Sequence, residues 1–206
     1  MCYHNKNSPW YNIGLKYGFP NIYWSEQVTD YIIATPFNTI SNLFYIISGI
    51  LCLDNYIYGS SVIILGICSG LYHCSVIYPC QLMDISSMTL VFSVMTSQNL
   101  NFDIYYTMLM ILFYQIFLFC VIKFNLPCQY KSIINIGGVI ITTKEFNLNM
   151  IITLFFFGIG LYNSYIDLRY KYKYGHTFWH LFTALALYTW NQSNIIINNK
   201  LTFESI

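Results

Sequence analysis

The chain has 206 residues, of which 56% are hydrophobic and only 8% are charged, and its formal net charge is +1. Soluble domains usually carry about 25% charged residues, so this sequence cannot cover a water-exposed globular surface of the usual kind. The small net charge also excludes the basic footprint of a nucleic-acid-binding protein. The composition therefore favours a membrane protein, for which lipid is the natural solvent.

Seven apolar segments follow a short polar and aromatic N-terminal segment at 1–35. A transmembrane helix needs about 20 largely apolar residues, and prolines lie near the ends of several segments, where helices begin or end. The sequence predicts an all-α, polytopic membrane protein in which a bundle of seven transmembrane helices forms a single domain over 1–206. The predicted helices are 36–53, 60–77, 81–98, 104–124, 131–143, 149–168 and 175–197.

Basic residues are distributed unevenly between the two sides of this predicted bundle. One side holds the N-terminus and the loops after the second, fourth and sixth helices. The positive-inside rule predicts that this side is cytoplasmic. Its seven basic residues are Lys6, Lys16, Lys123, Lys131, Arg169, Lys171 and Lys173, against Lys144 and Lys200 on the other side.

The seven cysteines do not suggest a disulfide framework. Their number is odd and most of them lie in apolar stretches, so we interpret them as small buried hydrophobic residues.

Three of the four histidines lie in predicted helices near one side of the membrane. His176 and His180 are four positions apart, which places both imidazoles on one helix face, one turn apart. His73 lies near the end of the second predicted helix, on the side where the seventh helix begins. Three imidazole ligands with an open fourth position are typical of catalytic zinc. The sequence thus predicts a Zn²⁺ site formed by His73, His176 and His180; the alternative is that these histidines are hydrogen-bonded to neighbouring helices.

Two further side chains accompany the histidines at the same predicted level. Ser69 is four residues before His73, on the same helix face, and Asp84 follows near the start of the third predicted helix. A carboxylate at membrane depth is costly and marks a functional site. We therefore expect Asp84 to take a proton from water and Ser69 to donate to a developing oxyanion. The alternatives are a packing role for Ser69 and a helix N-terminal carboxylate for Asp84.

Polar residues at the start of the first predicted helix are the last element of this pattern. Asn38, Ser41 and Asn42 are expected to form hydrogen bonds across helices. His4, in contrast, lies in the polar N-terminal tail and is expected to be solvated.

Three blocks together resemble the alkaline ceramidase family, within the seven-helix membrane hydrolases that also include adiponectin-type receptors. The first block is similar to the family's N-T-x-S-N at the opening of its first helix. The blocks are Phe37-Asn38-Thr39-Ile40-Ser41-Asn42, then Ser69-x-x-x-His73 with Gln81-x-x-Asp84-x-x-x-Met88, and His176-x-x-Trp179-His180 running on to Tyr188.

The resemblance implies a zinc amidase that cleaves ceramide into a fatty acid and a sphingoid base. Carried over by motif, His73, His176 and His180 would be the zinc ligands, Asp84 would assist the water and Ser69 the oxyanion. The resemblance also implies an integral, multi-pass protein of an endoplasmic reticulum or Golgi-type membrane. It implies a lumenal N-terminus, opposite to the charge count.

The sequence departs from the family pattern at several acidic positions. Thr35 stands where the family has an acidic residue three positions before the Asn of the first block, and Ile85 follows Asp84 where the family has an acid. The family's N-terminal Asp-Trp-Cys-Glu, which contributes to a calcium site, retains only Trp24 and Glu26. Glu26 and Asp30 are therefore the candidate ligands of a partial Ca²⁺ site.

Three other functions compete with ceramide hydrolysis. A zinc site of this kind would also serve an ester lipid hydrolase or a phospholipase-type remodeller of the same superfamily. A receptor-like protein with structural zinc would have a closed fourth coordination position. A transporter is disfavoured because the chain has no evident repeats or matched broken helices.

Overall fold

The computed structural model describes residues 6–20, 24–123, 129–143 and 147–204, and these parts of the chain form nine α-helices. All seven segments predicted to be helical are helical, within a few residues at most boundaries. A short additional helix, α1, lies in the N-terminal segment. The helices are α1 Tyr11–Tyr17, α2 Pro36–Ser41, α3 Leu43–Leu51, α4 Tyr56–Ser75, α5 Tyr78–Asn99, α6 Ile104–Lys123, α7 Gln129–Thr142, α8 Leu148–Tyr170 and α9 Gly175–Glu204.

The first predicted helix, 36–53, is two helices separated by a turn at Asn42. The backbone N–H of Asn42 donates to Thr39 O at 3.2 Å, and the N–H of Tyr45 donates to Asn42 O at 3.1 Å. These bonds span three residues instead of four, as in a 3₁₀ turn, and such turns within a helix often mark functional positions. The Asn42 side chain also donates to Asn38 O at 2.7 Å, so it bonds within its own segment.

Three helices, α4, α6 and α8, are long and apolar enough to cross a membrane. Their outward faces carry large apolar side chains: on α6, Leu109, Phe113 and Phe119 are each about 60% exposed. An apolar surface of this extent is unfavourable in water and is consistent with a membrane protein. The seven-span arrangement predicted from the sequence is not established by length and composition alone.

Helix α5 buries polar side chains where it packs against its neighbours, whereas a helix of a soluble protein usually buries apolar ones. Ser93, Thr96 and Ser97 are at most 2% exposed. Each hydroxyl donates to a carbonyl three or four residues earlier, at 2.7 to 2.9 Å, so none of them is left unsatisfied. Hydroxyls bonded in this way are compatible with the interior of a bundle in lipid.

Two tight turns and an N-terminal strap lie at one end of the bundle. Val76 ends α4 with φ 49°, and Lys171 ends α8 with φ 58°. The extended segment at 34–35 pairs with the end of α4, since Ala34 N donates to Cys74 O at 2.8 Å. The end of α4 and the starts of α5 and α9 therefore lie on the same side of the bundle, as the sequence predicted.

The five cysteines at described positions are free, and Cys52 is fully buried, while Cys68, Cys74, Cys80 and Cys120 are partly buried. Among these five, Cys52 fits the interpretation as a small buried hydrophobic residue, whereas the other four are only partly buried. Cys2 and Cys128 lie outside the described residues.

Gly175 allows the start of α9 to approach α8 closely. A Cβ at this position would lie 2.6 Å from Asn163 O and 2.7 Å from Asp167 Cβ. Gly175→Ala is therefore expected to destabilise the protein by about 1–3 kcal/mol, seen as a lower Tm in detergent. Gly158→Ala is the matched control on α8, because nothing lies within 4 Å of its added Cβ. Equal Tm values for the two variants would contradict this close approach.

Candidate metal centre

Three buried imidazoles meet between α4 and α9. His73, His176 and His180 are each at most 4% exposed. Their nitrogen atoms lie within 4.8 Å of one another, and their ring centroids are 4.4 to 5.0 Å apart. This group, here called the histidine cluster, is the only set of three or more metal-ligating side chains in the described ranges of the chain. The predicted convergence of segments about a hundred residues apart is therefore confirmed.

The start of α9 is fixed by Asp167, a residue that the sequence analysis missed. Asp167 is fully buried near the end of α8, and its carboxylate accepts the backbone N–H of His176 at 2.9 Å. The other carboxylate oxygen accepts the backbone N–H and the hydroxyl of Ser25, at 2.8 and 2.7 Å. Asp167 thus ties the N-terminal strap to the helix that carries two histidines. The argument that singled out Asp84, a carboxylate in an apolar helix, applies equally to Asp167.

His73 is positioned through its own backbone. Thr35 donates to the carbonyl of His73 twice, through N–H at 3.1 Å and through its hydroxyl at 2.7 Å. These bonds satisfy one of the carbonyls at the C-terminal end of α4, which have no partner within the helix. Thr35 occupies the position at which the family that the sequence resembles has an acidic residue. Here its hydrogen bonds anchor the end of α4, the helix that carries His73.

His180 is oriented by the polar block at the start of the first predicted helix. Its Nδ1 lies 2.6 Å from Ser41 Oγ, and the Ser41 hydroxyl donates to Asn38 O at 2.9 Å. With the Ser41 proton in that bond, Ser41 Oγ is left to accept from His180, and we assign the ring proton to Nδ1 on this basis. The Nε2 atom of His180 is then left unprotonated, in the form required of a metal ligand. This bond also confirms the expected cross-helix role of Ser41.

Asn38 links the same block to α9 through its side chain. The Thr177 hydroxyl donates to Asn38 Oδ1 at 2.8 Å, so Asn38 also bonds across helices as expected. The Asn42 side chain, in contrast, donates within the block, to Asn38 O, and its Oδ1 has no hydrogen-bond partner among the described residues.

Trp24 covers the second histidine of the cluster. Its ring stacks on His176 with a centroid separation of 3.5 Å and an angle of 13° between the planes. Among the described residues, His176 Nδ1 is buried and has no hydrogen-bond partner. The stacking fixes the ring plane of His176.

The histidine cluster fits a metal ion. The Nε2 atoms of His73 and His176 are 3.0 Å apart, close to the separation of about 3.3 Å expected between two nitrogens bound tetrahedrally to one zinc. A direct hydrogen bond between the rings has the same length, but it leaves His180 Nε2 without a role. Three neutral imidazoles that face one another suit a cation of the transition series. The cluster can hold a metal ion, whose identity the geometry does not specify.

Asp84 and Ser69 form a pair beside the cluster. The Ser69 hydroxyl donates to the Asp84 carboxylate, and Ser69 is buried. Ser69 lies one helical turn before His73 on α4, so the pair is beside the cluster. Asp84 is not a member of the three-histidine group. Ser69 orients Asp84 in this arrangement, so its predicted donation to an oxyanion requires the hydroxyl to turn.

Glu26 supports α2, and Asp30 lies on the surface. The two carboxylate oxygens of Glu26 accept the backbone N–H groups of Phe37 and Asn38, each at 2.8 Å. Burial raises the pKa of the Glu26 carboxyl, while these two donors and the charge of Lys173 act in the opposite direction. Within the part of the chain that the structure describes, neither acid joins a cluster of three metal-ligating side chains. The calcium site stays a prediction.

A cavity of about 510 Å³ adjoins the histidine cluster at the end of the bundle. Its size lies in the range of small-molecule sites. Its lining is partly polar, and it includes the aromatic rings of Trp24 and Tyr72 beside His73. Its lining consists of Trp24, Ser25, Glu26, Gln27, Val28, Thr35, Tyr72, His73, Val76 and Lys171.

No family model matches this sequence, and no curated protein is significantly similar to it.

Ser41→Ala is expected to weaken metal binding without removing a ligand. The hydrogen bond that keeps the ring proton on Nδ1 is lost, and loss of such outer contacts typically lowers metal affinity by about 10–100-fold. Ser48→Ala is the matched control, because Ser48 is also buried and donates to Ala184 O on α9 at 3.0 Å. Titration with a zinc chelator measures both variants. Equal affinities for the two would contradict the role of Ser41.

Proposed function

We propose that the chain is a multi-pass membrane protein with seven spans that hydrolyses a lipid amide with the help of zinc, most simply ceramide to a sphingoid base and a fatty acid. The observation that carries the proposal is the meeting of three buried imidazoles, His73, His176 and His180, beside the Asp84–Ser69 pair. The order and spacing of the three resembling blocks support the choice of an amidase over other metal chemistry.

The seven-span arrangement is supported by how the helices distribute polarity. The three most apolar helices expose apolar faces, whereas α5 and α9 bury hydroxyl and amide side chains such as Ser97 and Asn191. Helices that line a polar interior are less apolar on average. Their mean hydropathy is therefore low even when the bundle as a whole lies in lipid. In this arrangement the histidine cluster would lie just inside one face of the membrane.

His73, His176 and His180 are the residues that would hold the zinc ion. When bound, zinc acts as a Lewis acid on a carbonyl oxygen and lowers the pKa of a bound water to about 7. The protein contributes the fixed orientation of the rings: Ser41 sets the tautomer of His180 and Trp24 sets the plane of His176.

Asp84 is the residue that moves protons in the proposed reaction. The oxygen of a water forms a bond to the amide carbonyl carbon, and Asp84 accepts the proton that the water loses. Asp84 then gives this proton to the amide nitrogen as the C–N bond breaks, so that a fatty acid and an amine leave. Ser69 is a positioning residue for Asp84, because its hydroxyl donates to this carboxylate.

The test is the release of fatty acid from a panel of lipids by purified protein reconstituted with zinc. Ceramide is expected to be cleaved, and a diacyl phospholipid of the same acyl chain is not. Release from the ester alone would overturn the amidase proposal and favour the phospholipase-type reading. Full zinc occupancy with no release from any lipid would overturn hydrolysis and favour a receptor-like protein.

A further inference from the structure

We propose that the cavity beside the histidine cluster binds an anionic head group, a phosphate monoester carried by a lipid, and that Lys171 recognises it. The inference rests on the proposed function in that the cavity is taken to receive the substrate. It goes beyond that function because the resemblance implies ceramide, whose head group is a neutral hydroxyl.

Lys171 is the cationic side chain of this cavity. Among the described residues that line it, no other lysine or arginine is present. The nearby Lys173 is held elsewhere, with its Nζ 5.5 Å from the ring centroid of Phe37 and 5.3 Å from that of Tyr174. The two lysines therefore differ in what they face, although they are two positions apart in one loop.

The acidic groups around the cavity are already engaged by the protein. Both oxygens of Glu26 accept backbone N–H groups. The Asp167 carboxylate accepts N–H groups from Ser25 and His176. Each carboxylate is hydrogen-bonded to donors within the protein, so neither depends on the ammonium of Lys171 for a partner. A cation in such a mouth favours an anionic ligand.

The backbone of Lys171 adds an independent observation. Its φ is 58°, the left-handed conformation that favours glycine after the last turn of a helix, and its N–H donates to Asp167 O at 2.9 Å. This left-handed turn ends α8 at the edge of the cavity, which is how Lys171 comes to line it.

The arrangement also fits the two ends of an amphiphile. Lys171, which ends α8, and His73, near the end of α4, both line this one cavity of about 510 Å³. A lipid with its phosphate at Lys171 would thus present the bonds next to its head group to the histidine cluster. Lysine binds a phosphate as a point charge, which tolerates small differences in head-group geometry.

Binding of hexadecyl phosphate and of hexadecanol to the zinc-loaded protein in neutral detergent tests the inference. Wild-type protein is expected to prefer the phosphate by at least about tenfold, as a charge-assisted contact of about 1.4 kcal/mol would give. Lys171→Gln should remove this preference and Lys171→Arg should keep it. Lys173→Gln is the matched control and should also keep it.

Equal affinity of the wild-type protein for the two amphiphiles would overturn the inference, as would an equal loss in Lys171→Gln and Lys173→Gln. Inorganic phosphate is expected to compete poorly; displacement of hexadecyl phosphate by an equimolar amount would overturn the assignment to a lipid-borne group. Neither amphiphile contains an amide, so binding is measured without turnover.

The inference and the proposed function can fail separately. Cleavage of ceramide by a protein with no preference for the phosphate would contradict only this inference. A preference for the phosphate without cleavage of any lipid would contradict only the proposed function.

Discussion

His180→Ala protein is expected to be purified with almost no bound zinc and to release no fatty acid from ceramide. The alanine removes one of three ligands, and the site offers no other imidazole in the described parts of the chain. Even the loss of an outer contact lowers metal affinity by about 10–100-fold, so the loss of a ligand should cost more than that. Metal analysis of the purified protein, paired with a release assay, measures both effects. His176→Ala should behave in the same way.

The control for this variant is His4→Ala. His4 is the one histidine outside the three blocks, and it lies outside the described residues. It should keep the wild-type zinc content and activity. Elution as a single species and an unchanged helical circular dichroism signal would separate ligand loss from misfolding. Wild-type zinc content in a well-folded His180→Ala protein would rule out the cluster as the metal site.

Asp84→Asn protein is expected to keep its zinc but to lose most of its turnover. The carboxylate hydrogen-bonds to Ser69 and lies outside the metal-ligating group, so an amide of the same shape leaves the ligands in place. The amide cannot accept the proton of the attacking water, and general base catalysis contributes about 10²–10⁴-fold to such reactions. We expect kcat to fall by that factor at unchanged zinc content.

Two further variants make this prediction specific. Asp54→Asn is the matched control, since Asp54 is an exposed acid next to the start of α4 that accepts from Asn191 at 3.3 Å. It should be fully active. Ser69→Ala should lower kcat less than Asp84→Asn, because it disturbs the orientation of the base without removing it. Full activity in Asp84→Asn would assign the proton transfer to another group.

The helices and the histidine cluster could be predicted because their signals are local and periodic. Spacing of four fixes His176 and His180 on one helix face. The alternating direction of successive helices brings His73 to the same end of the bundle, and this convergence is what the structure shows. The turn at Asn42 is not visible in hydropathy, because it depends on one side chain donating to the carbonyl of Asn38.

The supporting contacts of the site could not be predicted because they are made between distant segments. Asp167 and Ser25 are 142 positions apart, and Ser41 and His180 are 139 apart. Which side chains meet depends on how the strap at 24–35 packs over the end of the bundle. Trp24 lies in the polar and aromatic N-terminal segment, far from α9 in sequence, yet its ring stacks on His176. No periodicity in the chain encodes that contact.

X-ray absorption spectroscopy at the zinc edge of the purified protein tests the central claim most directly. About one zinc ion per chain is expected, with a first shell of nitrogen and oxygen atoms at about 2.0–2.1 Å. His73→Ala should remove this signal. A sulfur shell at about 2.3 Å, as a site at Cys74 or Cys80 would give, or a protein that binds no metal at all, would contradict the account.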